Sequence, residues 1–467
     1  MKKYIIGIFA AAALLQACSS KLDVKPNNSL EIGDALADLP AIQSALAGTY
    51  DALQQTEYYG RNYWLMTELS GDNVYLSAKN SNRFISSFKR EYNVQDADVA
   101  DLWATAYKAI LGANNIINSV DSISADQEPK NVAKGEALFI RALAYSDLVN
   151  MFAKPYRGSN GSQPGVPVNL KFAVVQTPRS SVADVYTRII TDLTDAKKLL
   201  VNVGADTKFH ASQYAASALL ARVYLAKGDD QAAIDEATNV INAGFSLTPA
   251  AGIPTFYNNG GSAEEIFTLR FTGNAEDLGS DNLGMMYLKP GYGDIRVSPD
   301  LYNTLAANDA RKSLLGVFSD GSTGEKTNLK FQGQESIAGM HSPKLLRLAE
   351  MYLIRSEAYA HLNQAAKAIS DLNTLRAQRG LAALSGVADK DVLDYVLAES
   401  RKEFMFEGHR YFDLLRNGKD VVRNFCHDLL EVAAPCTIST TSDIAICPIP
   451  QTELNTNPIG QNPGYGQ

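Results

Sequence analysis

Three glutamates at four-residue intervals are the first residues in the sequence whose spacing suits chemistry. Glu399, Glu403 and Glu407 lie in the stretch ESRKEFMFEGHRYFDLLRNGK, and His409 and Asp413 follow closely. Residues four apart share one face of a helix, so these carboxylates can lie next to each other. One interpretation is therefore a carboxylate pair that works as general acid and general base.

The other interpretation of this stretch is structural. A helix ends at Gly408, a second helix begins, and ion pairs to Arg410 and Arg416 join the two. We favour this interpretation, because no nucleophile, metal set or companion motif accompanies the carboxylates.

Motifs of other catalytic or cofactor-binding classes are missing from the sequence. There is no His-Glu-x-x-His, no Gly-x-Ser-x-Gly and no phosphate-binding glycine loop. The five histidines are scattered, and no two have the spacing of metal ligands on a helix. The sequence thus predicts a protein that is not an enzyme and has neither a cofactor nor a catalytic metal.

Most of the chain has the periodicity of helices. Apolar residues recur three and four apart in IQSALAGTYDAL, LWATAYKAILGANNIINSV, AKGEALFIRALAYSDLVNMF and VADVYTRIITDLTDAKKLL. Two intervals, Tyr58–Tyr92 and Ala251–Gln334, are instead rich in Gly, Asn, Ser and Tyr. We predict a mostly α-helical fold with two long, loop-rich insertions, where binding residues tend to lie.

Two helical stretches can be aligned with each other. SALLARVYLAKGDDQAAIDEATNVI and EMYLIRSEAYAHLNQAAKAISDLNTL share a small residue, a tyrosine three later and an alanine nine beyond that. These positions are Ala221, Tyr224 and Ala233 in the first stretch, and Ser356, Tyr359 and Ala368 in the second. A break follows each tyrosine, at Gly228-Asp229 and at Leu362-Asn363. The pattern predicts helix–turn–helix units of the tetratricopeptide type, and unrelated amphipathic core helices are the alternative. Because the units are far apart along the chain, we do not expect a regular solenoid.

Composition and charge limit the possible partners. The 467 residues are 46% hydrophobic and 20% charged, and their net charge is −8. These fractions are typical of globular proteins. An acidic chain has no electrostatic attraction for phosphate backbones, so we do not expect a nucleic-acid partner.

The N-terminus has the features of a bacterial lipoprotein signal. Lys2 and Lys3 precede an apolar run that is too short to span a bilayer comfortably, and Leu15-Gln16-Ala17-Cys18 follows the pattern of a lipobox. The alternative is an ordinary signal peptide with an incidental cysteine. The predicted segments are a lipoprotein signal peptide at 1–17, a tether at 18–32 that is lipidated on Cys18, and one domain at 33–467.

Three further cysteines, Cys426, Cys436 and Cys447, lie near the C-terminus. In an oxidising compartment two of them can pair and one is left over, and the sequence does not distinguish the possible pairs. Their spacings of ten and eleven residues do not resemble a zinc site.

The chain ends in a segment with many prolines, glycines and asparagines, CPIPQTELNTNPIGQNPGYGQ. A disordered tail has little reason to carry apolar residues such as Ile449 and Leu454. Pro448 and Pro450 favour extended backbone. We therefore predict a strand-like tail that is packed onto the body.

Four stretches together resemble the SusD/RagB family of outer-membrane nutrient-binding lipoproteins. They are GEALFIRALAYSDLVNMFAKPY at 135–156 with GVPV at 165–168, LLRLAEMYLIRSEAYAHL at 345–362, the glutamate stretch at 399–419, and PIPQTELNTNPIGQNPGY at 448–465. With the lipobox, the resemblance spans essentially the whole mature chain. Their order and spacing make the combination highly specific.

The resemblance implies a SusD-like fold, with tetratricopeptide-like helix pairs on one side and a loop-rich, irregular ligand-binding side. Proteins of this family are not enzymes. They are held at the outer membrane by a lipid anchor, facing the cell exterior, and they pass captured nutrient to a SusC-type TonB-dependent transporter. Their closing PIPQ-to-NPGY segment is a structural signature that packs onto the body.

Ligand contacts are expected in the two insertions, which we suppose to converge on one face. YLSAKNSNRFISSFKREYN and MYLKPGYGDIRV combine aromatic rings with amides and cations, as sugar sites do. The candidate residues are Tyr75, Asn80, Arg83, Phe84 and Tyr92 in the first insertion, and Tyr287, Tyr292 and Arg296 in the second. Tyr58–Trp64 is the alternative place for the site. For most tyrosines of the insertions, packing of the loops onto the helices is the competing interpretation.

The nature of the ligand stays open at the level of sequence. Family members bind oligosaccharides most often, and some bind peptides. The chain has only two tryptophans, Trp64 and Trp103, and we expect Trp103 to be buried in a helix. This small number of tryptophans argues against a broad aromatic surface for binding glycans. A structural surface protein that binds no small ligand is a further alternative.

Overall fold

The computed structural model describes residues 35–172, 176–204, 207–258, 260–273, 275–319, 324–426 and 435–466. The predicted signal peptide, the lipidation site Cys18 and the tether at 18–32 lie outside these ranges. Within them, no helix is both long enough and apolar enough to cross a membrane.

Helices dominate the described residues, so the prediction of a mostly α-helical fold is confirmed. The helices are α1 Leu39–Gln54, α2 Asn62–Ser70, α3 Ile85–Lys89, α4 Ala97–Ser119, α5 Gln127–Phe152, α6 Val182–Leu199, α7 Gln213–Lys227, α8 Asp230–Ile241, α9 Pro299–Thr304, α10 Leu348–His361, α11 Ala365–Ala377, α12 Val392–Glu403, α13 Arg410–Arg416 and α14 Gln451–Thr456.

Short strands lie mainly in the two insertions and the segments that flank them. The strands are β1 Val74–Leu76, β2 Pro164–Pro167, β3 Arg179–Ser181, β4 Glu265–Thr268, β5 Ile295–Val297, β6 Leu315–Val317, β7 Lys326–Asn328, β8 Gly333–Gln334, β9 Ile337–Ala338, β10 Lys344–Arg347, β11 Val421–Val422 and β12 Thr437–Ile438. One sheet has the order β1-β5-β7-β6, and the pairs β2–β3, β4–β10, β8–β9 and β11–β12 are two-stranded.

Polar residues fix the N-termini of the long helices. At the starts of α1, α4, α6 and α7, a capping side chain accepts a hydrogen bond from the backbone N–H three residues on. The capping residues are Asp38, Asp96, Ser181 and Ser212. Each cap satisfies a backbone donor that has no partner within the helix.

The two predicted tetratricopeptide-like units are confirmed as helix pairs, α7–α8 and α10–α11. Gly228, with φ +91°, follows α7, and Asn363, with φ +57°, lies between α10 and α11. Gly and Asn adopt this left-handed conformation at the lowest cost, which explains why the chain turns at these residues. Ala233 and Ala368 are fully buried in the second helix of each unit.

The units are close in space although they are far apart along the chain. Successive helices from α4 to α8 pack against one another, α8 packs directly on α10, and α10 packs on α11. We call α4 to α8 with α10 and α11 the helix row. The segment 242–347 leaves the row and returns to it, and β10, at the end of the segment, pairs with β4 in its first part. Sequence spacing therefore understated the continuity of the repeat.

The C-terminal segment is packed, as predicted. Ile449 has no exposed surface and Asn462 is 4% exposed. The Asn462 amide donates to the carbonyl oxygens of Phe152 and Cys447 at 2.8 and 2.7 Å. The prediction of a strand-like tail is wrong for the middle of the segment, which forms the helix α14. Pro450 directly precedes this helix, a position where proline is compatible with a helix start.

Candidate functional site

The two insertions converge at a strand pair. β1 of the first insertion pairs antiparallel with β5 of the second, and Tyr75 lies opposite Arg296. Two segments separated by more than two hundred residues of chain thus lie side by side.

A half-exposed group of polar side chains lies beside this strand pair. The Arg83 guanidinium donates to the Tyr292 hydroxyl at 2.7 Å, and its central carbon lies 4.0 Å from the centre of the Tyr292 ring. Arg83 also pairs with Asp281 at 3.0 Å, and the two side chains are 36% and 39% exposed. We call Asn80, Arg83, Asp281 and Tyr292 the surface cluster.

Local hydrogen bonds shape the loop that carries Arg83. The Asn80 amide donates to the carbonyl of Ser77 at 2.7 Å, and its oxygen accepts from the backbone N–H of Asn82. Asn82 and Phe84 both have positive φ, so Arg83 lies between two left-handed residues. This conformation fixes the backbone at the position where the side chain emerges.

A tight turn carries Tyr292. Lys289 donates to the carbonyl of Tyr292 at 2.6 Å and so closes the turn. A β-carbon at Gly291 would lie 2.5 Å from the carbonyl oxygen of Met285, which leaves room for glycine alone. Close packing of the backbone therefore positions Tyr292.

Five of the eight predicted contact residues are buried in this conformation. Their exposed fractions are at most 6%, namely Tyr75 at 4%, Phe84 at 5%, Tyr92 at 6%, Tyr287 at 0% and Arg296 at 2%. A ring or guanidinium without exposed surface cannot meet a ligand unless the loops move. In this structure these five side chains pack within the protein, as the competing interpretation expected.

Buried candidate residues connect the two insertions with each other. Tyr75 donates to Glu325 at 3.1 Å, and Arg296 also pairs with Glu325, at 3.2 Å. Arg296 lies 3.1 Å from the centre of the Phe318 ring. Tyr287 packs near the rings of Phe331 and Phe406.

Two residues of the site, Asp281 and Arg61, are not among the eight candidate residues, although Arg61 lies in the alternative range Tyr58–Trp64. Asp281 pairs with Arg83 and Arg61 at once, and Arg61 also lies 5.4 Å from the ring centre of Phe84. Burial lowers the pKa of Arg61. Nearby, burial and repulsion from Asp96 raise the pKa of Asp98 to about 6. Both missed residues lie in or beside the predicted insertions, but nothing in their local sequence marks their partners.

The alternative region 58–64 is a buried aromatic cluster. Tyr58 and Tyr59 both donate to the same Asp147 oxygen, each at 2.5 Å. Burial raises the pKa of Asp147 to about 6 despite these hydrogen bonds. Trp64 and Trp103 are 6% and 3% exposed, which confirms the expected burial of Trp103.

The glutamate stretch has a structural role, but its ion pairs differ from those predicted. Glu403 binds Arg311, Arg347 and Arg379, which come from other parts of the chain. These guanidinium groups hold the pKa of Glu403 far below its usual range, although burial opposes them. A general acid needs a pKa near the working pH, so the acid–base interpretation fails on electrostatic grounds.

The helix boundaries in this stretch also differ from the expectation. α12 ends at Glu403 instead of Gly408, and the chain passes through turns before α13 begins at Arg410. Arg410 pairs with Asp72 at 2.9 Å, and Arg416 pairs with Glu357 of α10 as well as with Asp413. The two arginines were expected to join neighbouring helices. Instead, their ion pairs with Asp72 and Glu357 connect segments that are distant along the chain.

The structure selects one cysteine pair. Cys426 and Cys436 form a disulfide next to the β11–β12 hairpin, and Cys447 is buried and free. Phe425 lies beside this bridge and stacks on Tyr75 at 6.2 Å between ring centres. Across the ranges described above, no three His, Cys, Asp or Glu side chains are placed to hold a metal ion.

Comparison with known proteins gives two profile matches. The first, a SusD-like profile described as starch-binding associating with outer membrane, matches residues 21–225. The second, the SusD family profile, matches residues 333–465.

Relatives and solved structures agree with these matches over nearly the whole chain. A SusD-like protein P2 of Formosa agariphila is 26% identical over 533 aligned positions and is covered completely, as is this chain. A SusD superfamily protein of Bacteroides thetaiotaomicron has a TM-score of 0.84 at 27% identity, covering 91% of this chain and 100% of that one. One of Bacteroides vulgatus has a TM-score of 0.83 at 28% identity, with 92% and 100% covered.

Proposed function

Because this chain belongs to the SusD/RagB family, we propose that it is a cell-surface lipoprotein that captures an oligosaccharide and delivers it to a SusC-type TonB-dependent transporter. In this proposal it is a binding protein and not an enzyme. Nucleic acid is not a partner, in keeping with the net charge of −8.

The observation that carries the proposed ligand site is the surface cluster. Tyr292 offers an aromatic ring, Arg83 a guanidinium and Asn80 an amide, and all three are half-exposed and come from the converging insertions. Sugars are recognised by this combination of a flat apolar face with directed hydrogen-bond donors and acceptors. Asp281 adds an acceptor for hydroxyl groups.

The buried candidates keep a place in the proposal as supporting residues. Tyr75 and Arg296 share Glu325, and this arrangement links the two insertions. Phe84 and Tyr287 are buried close in sequence to Arg83 and Tyr292. Tyr92 lies at the end of the first insertion, where Arg90 lies 4.9 Å from its ring centre. Contact of any of these five with the ligand requires the loops to open.

Truncation of the surface cluster tests the site. We expect Tyr292→Ala and Arg83→Ala each to lower affinity roughly thirtyfold, because a central stacking or ionic group typically contributes about 2 kcal/mol. Calorimetry with maltoheptaose, or with the best glycan from an array, measures the change. Tyr395→Ala is the matched control, since Tyr395 is 44% exposed and lies on α12, outside both insertions. Unaltered affinity in both cluster variants would move the site elsewhere.

A peptide ligand is the second candidate, and one observation favours it. Both tryptophans are buried, whereas the exposed cluster contains a cation and a carboxylate that can pair with charged peptide groups. Glycan-array and peptide-library binding on the lipid-free protein distinguish the two ligand classes. Failure of both would favour a structural surface protein without a small ligand.

Anchoring by Cys18 is a separate part of the proposal. Each buried methylene of an acyl chain contributes about 0.8 kcal/mol of membrane affinity, so the predicted lipid can hold the whole protein at the membrane. We expect Cys18→Ala to fold but to leave the outer-membrane fraction in cells that lack the transporter partner. Immunoblots of membrane and soluble fractions measure this, and a variant that stays with the membrane would refute the lipidation of Cys18. The segments 1–17, 18–32 and 33–467 stand as proposed boundaries.

A further inference from the structure

A cavity that does not involve the surface cluster lies among the helices. It has a volume of about 110 Å³ and is enclosed by helices of the row, α5, α6, α7 and α10, together with α2, α12 and α13. None of the residues of the surface cluster lines it. Its chemistry can therefore be considered independently of the proposed nutrient site.

The cavity has an aromatic floor and a more open rim. Tyr59 and Tyr63 form part of the floor and are 2% and 8% exposed. Lys154, Tyr156 and Phe412 line the cavity as well and are half-buried. Walls that are mostly apolar, with a few convergent polar groups, are typical of small-molecule sites.

The charged groups around the cavity already have partners within the protein, either opposite charges or, for Asp147, the hydroxyls of Tyr58 and Tyr59. Arg222 binds both oxygens of Glu350, at 2.6 and 2.8 Å. Arg416 binds Glu357 and Asp413. A charged ligand would lose its hydration to meet groups that already have partners, which costs several kcal/mol. The lining thus favours a neutral ligand.

Several polar side chains of the lining, among them that of His409, have no hydrogen-bond partner among the described residues. The ring of His409 stacks on Phe404 with 4.2 Å between ring centres and an interplanar angle of 18°, but neither ring nitrogen has a hydrogen bond. Burial lowers the pKa of His409, so the neutral imidazole, with one donor and one acceptor, prevails at neutral pH. The buried Nε of Arg416, in the same lining, is a further donor without a partner.

A hydroxyl group matches these unpaired atoms, because it can donate to one ring nitrogen or accept from the other. The size of the cavity limits the rest of the ligand. An engineered cavity of about 150 Å³ in another protein holds one benzene ring, so about 110 Å³ accommodates a compact molecule of no more than a single ring. The half-buried aromatic residues at the rim supply faces for such a ring.

We propose that this cavity is a second binding site, which takes a small, neutral, ring-shaped alcohol whose hydroxyl group bonds to His409. The site goes beyond the proposed capture of an oligosaccharide, since the cavity is too small for a chain of sugars and shares no residue with the surface cluster. Stacking on Phe404 holds the imidazole in place before the ligand enters.

Four six-membered-ring compounds test the charge preference of the site. Cyclohexanol and D-glucose are the neutral alcohols, and cyclohexanecarboxylate and cyclohexylammonium are charged analogues of the first. Ligand-observed NMR on the lipid-free protein, followed by crystal soaking, measures affinity and position. We expect at least one neutral alcohol to bind in the cavity and both charged analogues to bind at least tenfold more weakly. Absence of binding by both alcohols, or equal binding of a charged analogue, would overturn the proposal.

His409→Phe tests the assigned hydrogen bond, because the variant keeps an aromatic ring next to Phe404 and removes both ring nitrogens. We expect at least a tenfold loss of affinity for the bound alcohol. His210→Phe is the matched control, since His210 is exposed, pairs with Glu136 and does not line the cavity. Unchanged affinity in a folded His409→Phe variant would overturn the role of His409.

A second variant covers the case in which His409→Phe does not fold. Phe412→Trp enlarges a half-buried side chain of the rim and should exclude the alcohol while circular dichroism stays that of the parent protein. Tyr292→Ala should leave binding of the small alcohol unchanged, which separates failure of this site from failure of the surface cluster. An alcohol that still binds to Phe412→Trp with parental affinity would place it outside the cavity.

Discussion

Glu403→Gln is expected to lower the free energy of unfolding by about 3–5 kcal/mol, the usual cost of removing one charge from a buried ion pair. Glu403 is 3% exposed and accepts hydrogen bonds from three guanidinium groups. Arg347 donates at 2.6 Å, Arg379 at 2.7 and 2.9 Å, and Arg311 at 3.0 Å. The substitution keeps the shape of the side chain, so the loss reports the charge and its bonds.

Denaturant unfolding followed by circular dichroism measures this loss. Glu91→Gln is the matched control, because Glu91 is 62% exposed and its pair with Lys89 spans 3.6 Å. A surface pair of this kind contributes at most about 1 kcal/mol, so the control should unfold close to the parent protein. If Glu403→Gln lost no more than Glu91→Gln, the ion pairs of Glu403 would not be what joins the end of α12 to β10 and to the segment that follows α11.

Deletion of 448–467 is expected to have a comparable effect, and the truncated chain should unfold at a clearly lower temperature or fail to accumulate. The segment buries Ile449 completely, and burial of such a side chain contributes about 1.5–3 kcal/mol. The Asn462 amide donates hydrogen bonds to the carbonyl oxygens of Phe152, the last residue of α5, and of Cys447, which directly precedes the deleted segment. Their loss adds the desolvation cost of buried, unpaired acceptors.

A point substitution separates the packing of this segment from its mere length. Asn462→Ala should cost about 1–3 kcal/mol, because it leaves two buried carbonyls without their donor. Asn455→Ala, on the exposed side of α14, removes only a hydrogen bond with Gln451 and should cost little. A thermal midpoint that the full deletion leaves unchanged would contradict the packed arrangement.

Local sequence was enough to predict the helical units. Gly228 and Asn363 adopt positive φ where the breaks were expected, because a turn between two packed helices selects residues that tolerate this conformation. Ala233 and Ala368 are buried where small residues allow two helices to approach. Such features depend on a few neighbouring residues, so they can be predicted from local sequence without knowledge of the fold.

The stretch that resembled an acid–base site shows where local reasoning fails. The spacing of Glu399, Glu403 and Glu407 correctly indicated a structural group of carboxylates held by ion pairs, but their partners Arg311, Arg347 and Arg379 lie between 24 and 92 residues away. Repeating helices and a returning insertion bring these cations together, and no local pattern encodes that path. The same reason prevented any prediction of Asp281 as the partner of Arg83.

Sequence by itself determined that the fold is mostly helical, that two long insertions interrupt the long helices, and that the closing segment belongs to the packed body, since each depends on periodicity, turn residues or apolar content within a short window. Only the tertiary structure decided which tyrosines are exposed, which cysteines pair and how the insertions meet. Tyr287 and Tyr292 are five residues apart in one insertion, yet the first is fully buried and the second is half-exposed. Whether a side chain is exposed depends on which other segments cover it. Phe331 and Phe406 pack on Tyr287, and this contact exists only in the folded chain.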